Sequence, residues 1–288
     1  MKQLLILSGK GGTGKTTIAG AFIKLSETKS YADCDVDAPN LHLVTNWNIE
    51  PKKTDYYGLH KAVINQHICI HCDQCRKNCR FDAISIDNGY KINLYACEGC
   101  SVCEYVCPVN AIKMKPNIDG ELNLYNDDNK KVFSTAQLKM GSGTSGLLVT
   151  EVKKQLKTVT VDTKFSIIDG SPGIGCPVIA SLNGVDMVLI VAEPTISGIN
   201  DMERIINTSV KFGIRIAVCI NKYDINKNNS YKIKEYCQKN NIKFVGEIPF
   251  DSLAVKAINS GQTIVDIKCP AGIKVKEIYE QTIKYFFE

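Results

Sequence analysis

The chain has 288 residues, of which 44% are hydrophobic and 23% are charged, and its formal net charge is +5. This length fits one or two domains. No apolar run approaches the ~18 residues needed to cross a bilayer, and no cluster of Lys and Arg suggests a nucleic-acid-binding arm. We therefore expect neither a membrane nor a nucleic-acid partner. Because the sequence shows no secretory signal, we expect a cytoplasmic protein whose cysteines stay reduced.

The first predicted elements are a buried strand over Gln3–Ser8, a glycine-rich loop and a helix over Ile18–Leu25. The loop fits the P-loop pattern G-x-x-x-x-G-K-S/T, in which backbone N–H groups surround phosphate oxygens at a helix N-terminus. Lys15 is expected to reach the β- and γ-phosphates, and the Thr16 hydroxyl to bind Mg²⁺. The predicted nucleotide-binding residues of this loop are Gly9, Lys10, Gly11, Gly12, Thr13, Gly14, Lys15, Thr16 and Thr17.

A lysine near the start of the loop makes the interpretation more specific. The run Lys10-Gly-Gly-Thr-Gly-Lys15-Thr-Thr resembles the deviant Walker A motif of the superfamily that includes MinD, ParA, Mrp and the nitrogenase iron protein. In that family the early lysine crosses a dimer interface to the partner's nucleotide. The resemblance therefore implies a homodimer in which Lys10 acts catalytically on the γ-phosphate of the opposite subunit, as an arginine finger does.

An acidic segment comes next along the chain. Asp33-x-Asp35, followed by Asn40-Leu41, resembles the D-x-D-x-x-x-x-N-L switch I segment of the same family. The resemblance implies that Asp35 orients the attacking water and helps to hold Mg²⁺ through water, whereas Asp37 has no assigned part. Acidic groups suit this role because phosphoryl transfer depends on positioning and charge neutralisation.

Eight of the thirteen cysteines form two matching runs, each with three closely spaced cysteines and a more distant fourth. This is the bacterial pattern for two 4Fe–4S clusters, in which the fourth cysteine of each run ligates the other cluster. Zinc sites usually show two Cys pairs with a longer gap, and disulfides do not fit reduced thiols. The expected ligands are Cys69, Cys72, Cys75 and Cys107 for cluster 1, and Cys97, Cys100, Cys103 and Cys79 for cluster 2.

The two runs belong to an internal repeat, since Cys79-Arg-Phe-Asp-Ala-Ile recurs as Cys107-Pro-Val-Asn-Ala-Ile. The repeat resembles a bacterial two-cluster ferredoxin over about residues 66–115, with Arg80 departing from the proline that follows the fourth cysteine in the second run. We therefore predict an α+β ferredoxin-like domain at 66–115. It is inserted into a nucleotide-binding domain formed by residues 1–65 and 116–288.

The segment after the insertion is predicted to rejoin the larger domain as a hairpin. Residues 121–140 have the pattern of two strands with a turn at 126–129, and a helix is expected over Leu147–Leu156. Between them lies a glycine-rich loop, residues 140–146. Its glycines either reach a partner or the phosphates, or simply form an ordinary loop.

A second nucleotide motif follows. The apolar run Phe165–Ile168, ending in Asp169 and a turn to Gly173, resembles Walker B and switch II. The resemblance implies that Asp169 lies near Mg²⁺ and Gly173 near the γ-phosphate. Cys176 comes soon after, where the nitrogenase iron protein also carries a cluster-ligating cysteine. A ligand or redox role for Cys176 stays open beside simple packing.

Residues that contact the base are expected later in the chain. A buried strand ends in Asn221, whose amide reads adenine in the resembled family, and Pro249 and Asp251 belong to the segment that lines the base. Lys222-x-Asp224 also resembles the guanine signature of GTPases. The identity of the base stays open, with ATP favoured by the family resemblance.

The alternation of strands and helices predicts an α/β fold with a doubly wound, mostly parallel sheet, and with the nucleotide at the carboxyl ends of the strands. The amphipathic stretch Ile273–Phe287 mixes Lys with Glu and so lacks the cationic face that membrane binding prefers. We expect it to pack on the sheet.

Together these motifs imply a Mg-dependent ATPase with two 4Fe–4S clusters. Its nucleotide-driven switches would gate electron transfer, or cluster delivery, to a redox or cluster-accepting partner protein. Two alternatives stay open. One is a non-enzymatic cluster carrier or scaffold whose conformation is set by nucleotide. The other is a positioning ATPase of MinD or ParA type, against which the cysteine runs count.

Overall fold

The computed structural model describes residues 1–128, 130–159 and 161–288, and a large sheet dominates the fold. Nine strands form this sheet. In chain order they are β1 (Lys2–Leu7), β2 (Ser30–Asp33), β3 (Lys52–Tyr57), β8 (Ile118–Asp127), β9 (Lys131–Leu138), β10 (Phe165–Asp169), β11 (Met187–Ala192), β12 (Arg215–Asn221) and β13 (Lys243–Ile248). Four more strands form two small separate pairs, β4 (Lys61–Ile64) with β7 (Ile112–Lys115), and β5 (Ile84–Ile86) with β6 (Tyr90–Ile92).

The strand order in the large sheet is β13-β12-β11-β1-β10-β2-β9-β8-β3. The strands from β13 to β9 run parallel, whereas β8 is antiparallel to both β9 and β3. β1 lies centrally, and the chain winds from it toward both edges. The predicted α/β fold with a mostly parallel sheet is therefore confirmed. A parallel sheet of this kind presents the carboxyl ends of its strands at one edge, where ligands bind.

Helices cover both faces of the sheet. In chain order they are α1 (Lys15–Ser26), α2 (His42–Thr45), α3 (Gln74–Lys77), α4 (Val102–Tyr105), α5 (Ser145–Lys157), α6 (Cys176–Leu182), α7 (Ile196–Lys211), α8 (Lys227–Lys239), α9 (Ser252–Asn259) and α10 (Pro270–Phe287). Successive strand residues point to opposite faces, so Leu5 and Leu7 pack in the core beneath α5–α8. Leu4 and Ile6 pack in the core beneath α1 and α10.

The C-terminal helix α10 lies on the sheet. Val275, Ile278 and Phe286 are buried in the same core as Leu4. This burial accounts for the amphipathic pattern of the segment, because apolar side chains at helical spacing form one face. Among the described residues, no helix has both the length and the apolar character needed to span a membrane.

The two strands after the cysteine-rich segment form a hairpin in which β8 pairs antiparallel with β9, from Gly120 opposite Leu138 to Asp127 opposite Lys131. The predicted turn at 126–129 includes Asn129, which lies outside the described residues. The hairpin adds β8 beside β9, and β3 then pairs with β8 as the edge strand of the sheet.

Residues 61–115 fold around a small core of their own. Ala62, Ile84, Tyr90 and Ile112 are buried there together with cysteines, and none of these residues belongs to the two cores of the large sheet. The strands β4 and β7 bracket this segment in sequence and pair with each other. The two chain connections to the large sheet therefore leave the small unit side by side.

Candidate functional site

The glycine-rich loop joins β1 to α1 at the carboxyl edge of the sheet. Gly14 has φ +90°, and a Cβ at that position would lie 2.4 Å from the Asn221 amide nitrogen. Only glycine adopts this backbone conformation without cost and leaves the space free. Asn221 uses that space, since its Nδ2 donates a hydrogen bond to the carbonyl of Thr13 at 2.6 Å. The last residue of β12 therefore holds the glycine-rich loop in place through this hydrogen bond.

The loop surrounds a cavity of about 300 Å³. Residues predicted to act in catalysis, Lys10, Lys15 and Asp35, all contribute to its walls. The other predicted residues that line it are Gly11, Gly12, Thr13, Gly14, Thr16 and Thr17. Gly9 lies instead against Asp201 of α7, where an added Cβ would approach the Asp201 Cβ to 2.2 Å. Gly173, with φ +95°, donates its N–H to the carbonyl of Ser8 at 2.9 Å.

A buried ion pair connects the wall of this cavity to the end of β10. Lys15 Nζ contacts the carboxylate of Asp169, and Thr16 Oγ1 donates to Asp169 Oδ2 at 2.6 Å. Asp169 is fully buried and Lys15 is 5% exposed. Burial alone lowers the pKa of Lys15, but the carboxylates of Asp169 and Asp33 outweigh it and raise the net pKa, so the lysine stays charged. The structure thus brings together the two side chains predicted nearest to Mg²⁺, Thr16 and Asp169.

Asp33 is a buried residue to which the sequence analysis assigned no role. Its carboxylate accepts hydrogen bonds of 3.0 Å from the N–H groups of Asp35, Asn40 and Leu41. Burial, and next the charge of Asp169, raises the pKa of Asp33 to about 7. The available signal was its place as the first acid of the D-x-D pattern, directly at the carboxyl end of β2. Asp33 holds the switch I segment, and with it Asp35, against the cavity.

A second residue that the sequence analysis missed is Glu193, directly after β11. Its carboxylate forms ion pairs with Lys10 at 2.6 Å and with Lys222 at 3.0 Å. Lys222 Nζ also donates to the carbonyl of Gly12 at 2.9 Å. Burial alone raises the pKa of Glu193, but the hydrogen bonds from Lys10 and Lys222 give a net lowering. A polar residue after a buried parallel strand was the signal that could have identified it.

Lys10 therefore points along its own chain in this structure, toward Glu193 and the hydroxyl of Thr195, which it reaches at 3.3 Å. Its side chain is 35% exposed. Because the ion pair with Glu193 is partly open to solvent, it contributes little stability. The role of Lys10 across a dimer stays a prediction.

A second cavity of about 160 Å³ adjoins the first, and the two share Gly12, Gly14, Thr17 and Ile258. Asn221, Pro249 and Asp251, the residues predicted to contact the base, all line it. The Asp251 carboxylate accepts hydrogen bonds from the N–H groups of Leu253 and Ala271, and so anchors the starts of α9 and α10.

The eight cysteines of the two runs line two further cavities in the small unit. One cavity is bordered by Cys69, Cys72, Cys75 and Cys107, together with Ile64, Asp73 and Tyr90. The other is bordered by Cys79, Cys97, Cys100 and Cys103, together with Ala62 and Glu98. Each group takes its fourth cysteine from the opposite run. The same crosswise grouping follows from the spacing in the sequence.

None of the thirteen cysteines forms a disulfide. Burial raises the pKa of the Cys75 thiol, and raises that of the Cys103 thiol to about 11. Within the described residues, no three side chains of His, Cys, Asp or Glu are arranged to hold a single metal ion.

The remaining cysteines are distributed differently. Cys34, Cys219, Cys237 and Cys269 are buried, as expected of small apolar residues, whereas Cys176 is exposed at the first residue of α6. Gly146 lies close against it, since an added Cβ there would come within 3.1 Å of the Cys176 Cβ. The start of α5 and the segment after Asp169 are thus in direct contact.

Residues 4–264 match the family model described as the CobQ/CobB/MinD/ParA nucleotide-binding domain. The chain belongs to this family. It is 33% identical over 282 residues to an uncharacterized protein of Methanocaldococcus jannaschii, and the match covers 97% of this chain and 95% of that protein.

The CobQ/CobB/MinD/ParA fold is also evident in solved structures. The septum site-determining protein MinD of Pyrococcus horikoshii, complexed with Mg-ADP, superimposes with a TM-score of 0.58 at 18% identity and covers 99% of this chain and 96% of that one. A further similarity covers only part of the chain. The pyruvate synthase subunit PorD of Methanothermobacter marburgensis is 36% identical over 63 residues, which are 22% of this chain and 75% of that protein.

Replacing Lys15 with alanine should weaken the binding of Mg-ATP. The ammonium lies in the cavity wall, and a charge-assisted hydrogen bond contributes about 1.5–3 kcal/mol, so we expect the Kd to rise roughly ten- to hundredfold. Isothermal titration calorimetry measures the change. Lys24→Ala is the control, because Lys24 lies on the same helix with 62% of its side chain exposed.

Thermal unfolding must accompany this measurement, since removing Lys15 leaves the buried carboxylate of Asp169 without its partner. Equal Kd values for the Lys15→Ala and Lys24→Ala proteins would contradict the assignment of the cavity to phosphate.

Proposed function

We propose that the protein is a Mg-ATP-hydrolysing iron–sulfur protein, in which the nucleotide state controls electron transfer, or cluster delivery, to a partner protein. The observation that carries this proposal is the grouping of the eight cysteines in two cavities of a unit inserted between the two nucleotide switches.

The donor set of each cysteine-lined cavity fits a 4Fe–4S cluster. Four thiols border each space, and soft thiolate ligands are those that iron–sulfur clusters use. In this proposal Cys69, Cys72, Cys75 and Cys107 hold cluster 1, and Cys79, Cys97, Cys100 and Cys103 hold cluster 2. Both clusters lie within an inserted domain at 66–115, and the preceding strand β4 pairs with β7 of that domain. When bound, the clusters would supply one-electron redox chemistry. The short similarity to PorD supports an inserted unit of this size.

Hydrolysis of ATP is supported by the arrangement around the buried ion pair. Lys15, Thr16 and Asp169 already meet at one point, and Asp33 fixes the segment that carries Asp35. In this proposal Lys15 binds the phosphates, Thr16 and Asp169 hold Mg²⁺ with Asp35 acting through water, and Asp35 orients the attacking water. Phosphoryl transfer needs little more from a protein than such positioning and charge neutralisation.

Adenine is the base that we favour for the second cavity. Asp224, the residue that makes Lys222-x-Asp224 resemble a guanine signature, accepts a hydrogen bond from the N–H of Phe250 at 2.8 Å. Its carboxylate thereby supports the wall of the cavity. Asn221, Pro249 and Asp251 would contact the base, as the family resemblance implies.

A chain of contacts links the nucleotide switches to the inserted unit. Cys176, just after switch II, lies against Gly146 at the start of α5. The loop before α5 lies against the cluster 2 segment, since a Cβ on Gly141 would come within 3.0 Å of Tyr95 Cδ1, and one on Gly143 within 3.6 Å of the Glu98 carboxylate. We name this segment, residues 140–146, the glycine loop; it is distinct from the P-loop. Loss of the γ-phosphate would move switch II, and that movement would reach the inserted unit through the glycine loop.

We expect the anaerobically purified protein to contain about eight irons and eight sulfides per chain, from two clusters of four. Chemical analysis of iron and acid-labile sulfide measures this directly. Zinc with no sulfide would contradict the redox proposal. About four irons would mean that one group of cysteines holds no cluster, and Cys72→Ala and Cys100→Ala chains would identify which.

Lys10→Ala should still bind ATP but fail to hydrolyse it, if Lys10 serves the opposite subunit of a homodimer. Mixing Lys10→Ala with Asp35→Ala chains should then restore activity, because one site of each heterodimer keeps both residues. Random pairing gives up to about a quarter of the wild-type rate. The control is Lys10→Ala mixed with the Lys10→Ala/Asp35→Ala double variant, which should stay inactive. Absence of rescue would place the action of Lys10 within its own chain, beside Glu193.

The decisive test is whether nucleotide changes the clusters. Coupling energies between sites are typically about 1–3 kcal/mol, which for one electron corresponds to a potential shift on the order of 40–130 mV. We expect reduction potentials measured without nucleotide, with ADP and with a non-hydrolysable ATP analogue to differ by that amount. By linkage, cluster reduction must alter ATP affinity by the same factor.

The Lys15→Ala protein is the control for this experiment, since its potentials should not respond to nucleotide at concentrations that it cannot bind. Identical potentials in all three states of the wild-type protein would overturn the gating of electron transfer. That result would favour a cluster carrier or scaffold.

A further inference from the structure

Lys61 is a buried lysine at the beginning of the inserted unit. It is 7% exposed, and its Nζ donates a hydrogen bond to the backbone carbonyl of Cys97 at 2.5 Å. Among the described residues, no ion pair includes Lys61. Burial of an ammonium group without a counter-charge is costly. A negative charge close to Lys61 would offset that cost.

The position of Lys61 indicates where that charge would lie. Cys97, whose carbonyl it contacts, lines the cavity of the second cysteine group, and so does the next residue, Ala62. Four cysteine thiolates around a cluster bring negative charge to this cavity, because the thiolate is the ligating form. Lys61 lies beside the wall of that cavity.

The first cysteine group has no equivalent of Lys61. The offset that relates Cys69 to Cys97 in the internal repeat relates Lys61 to Gly89, which has no side chain. The cavity of the first group is lined instead by Asp73, which accepts hydrogen bonds from Arg76 at 2.6 Å and from Tyr90 at 2.9 Å. The repeat is therefore symmetric in its cysteines and asymmetric in its buried charge.

We propose that the Lys61 ammonium raises the reduction potential of the cluster held by Cys79, Cys97, Cys100 and Cys103 above that of the other cluster. This inference rests on the proposed function. A fixed positive charge stabilises the reduced form, which carries one more negative charge, and a buried charge is screened far less than an exposed one. Glu98 lines the same cavity with the opposite charge, but it is exposed and therefore screened by water.

The consequence is a preferred resting place for an added electron. Tyr95 and Glu98, which precede or belong to the loop of the second group, are the residues that approach the glycine loop. Lys61 would hold the electron at the cluster whose protein loop contacts the nucleotide-binding domain. Electrons would thus collect where nucleotide-driven movement can act on them.

The test is a dithionite titration of the reconstituted full-length protein, followed by electron paramagnetic resonance, in which each cluster accepts one electron. Lys61→Met should lower the higher of the two potentials, so that at a fixed potential its reduced-to-oxidised ratio falls at least tenfold, or about 59 mV for one electron. Lys61→Arg, which keeps the charge, should recover most of the shift.

Lys115→Met is the matched control. Lys115 lies directly opposite Lys61 in the β4–β7 pair, carries the same charge and is exposed. We expect its replacement to change either ratio less than threefold. Equal shifts in the Lys61→Met and Lys115→Met proteins would overturn the inference, because only net charge would then matter.

Cysteine variants assign each potential to one cluster, and they do not require the Lys61→Met protein to assemble its clusters. In otherwise wild-type protein, Cys100→Ala should remove the higher potential and Cys72→Ala the lower one. Two equal potentials, or loss of the higher one in Cys72→Ala, would refute the role of Lys61 while leaving the clusters in place. Wild-type protein that binds no iron would instead refute the proposed function.

Discussion

The contact between Lys15 and Asp169 is the interaction on which the nucleotide site depends. It exists because β1, β10 and β2 are neighbouring parallel strands, with Ile6 opposite Asp169 and Asp169 opposite Asp33. Their carboxyl ends therefore place one lysine against two buried carboxylates. A buried ion pair is costly to dehydrate and adds little stability for its own sake. Its retention in the core of the sheet is understandable if Mg²⁺ and phosphate share these charges during function.

The unit of residues 61–115 connects to the large sheet at one edge. It leaves the large sheet through β3 and returns through β8, which pair with each other at the sheet edge. Because β4 and β7 also pair, the two connections stay close together, and loop closure across the insertion is inexpensive. Contacts with the nucleotide-binding domain include Gly141 against Tyr95.

Charge is organised differently in the nucleotide site and in the unit of residues 61–115. In the nucleotide site Asp169 pairs with Lys15, and Glu193 joins two lysines beside the loop. In the inserted unit Lys61 has only a backbone carbonyl, while Asp73 is satisfied by Arg76. Since interactions strengthen in a low dielectric, an unpaired buried charge has a longer reach than a paired one. This contrast distinguishes Lys61 from the exposed lysines of the same unit.

The sequence by itself determined the features that are written in local spacing. The P-loop is readable because glycines and Lys15 must be neighbours to surround phosphate, and the cysteine groups because three thiols within one loop fit one cluster. The mostly parallel sheet was likewise predictable from alternating buried strands and helices. Only the tertiary structure decided the partners of these residues. Glu193 meets Lys10, and Lys61 meets Cys97, across long separations in the chain. No periodicity encodes such contacts, because strand order and burial create them.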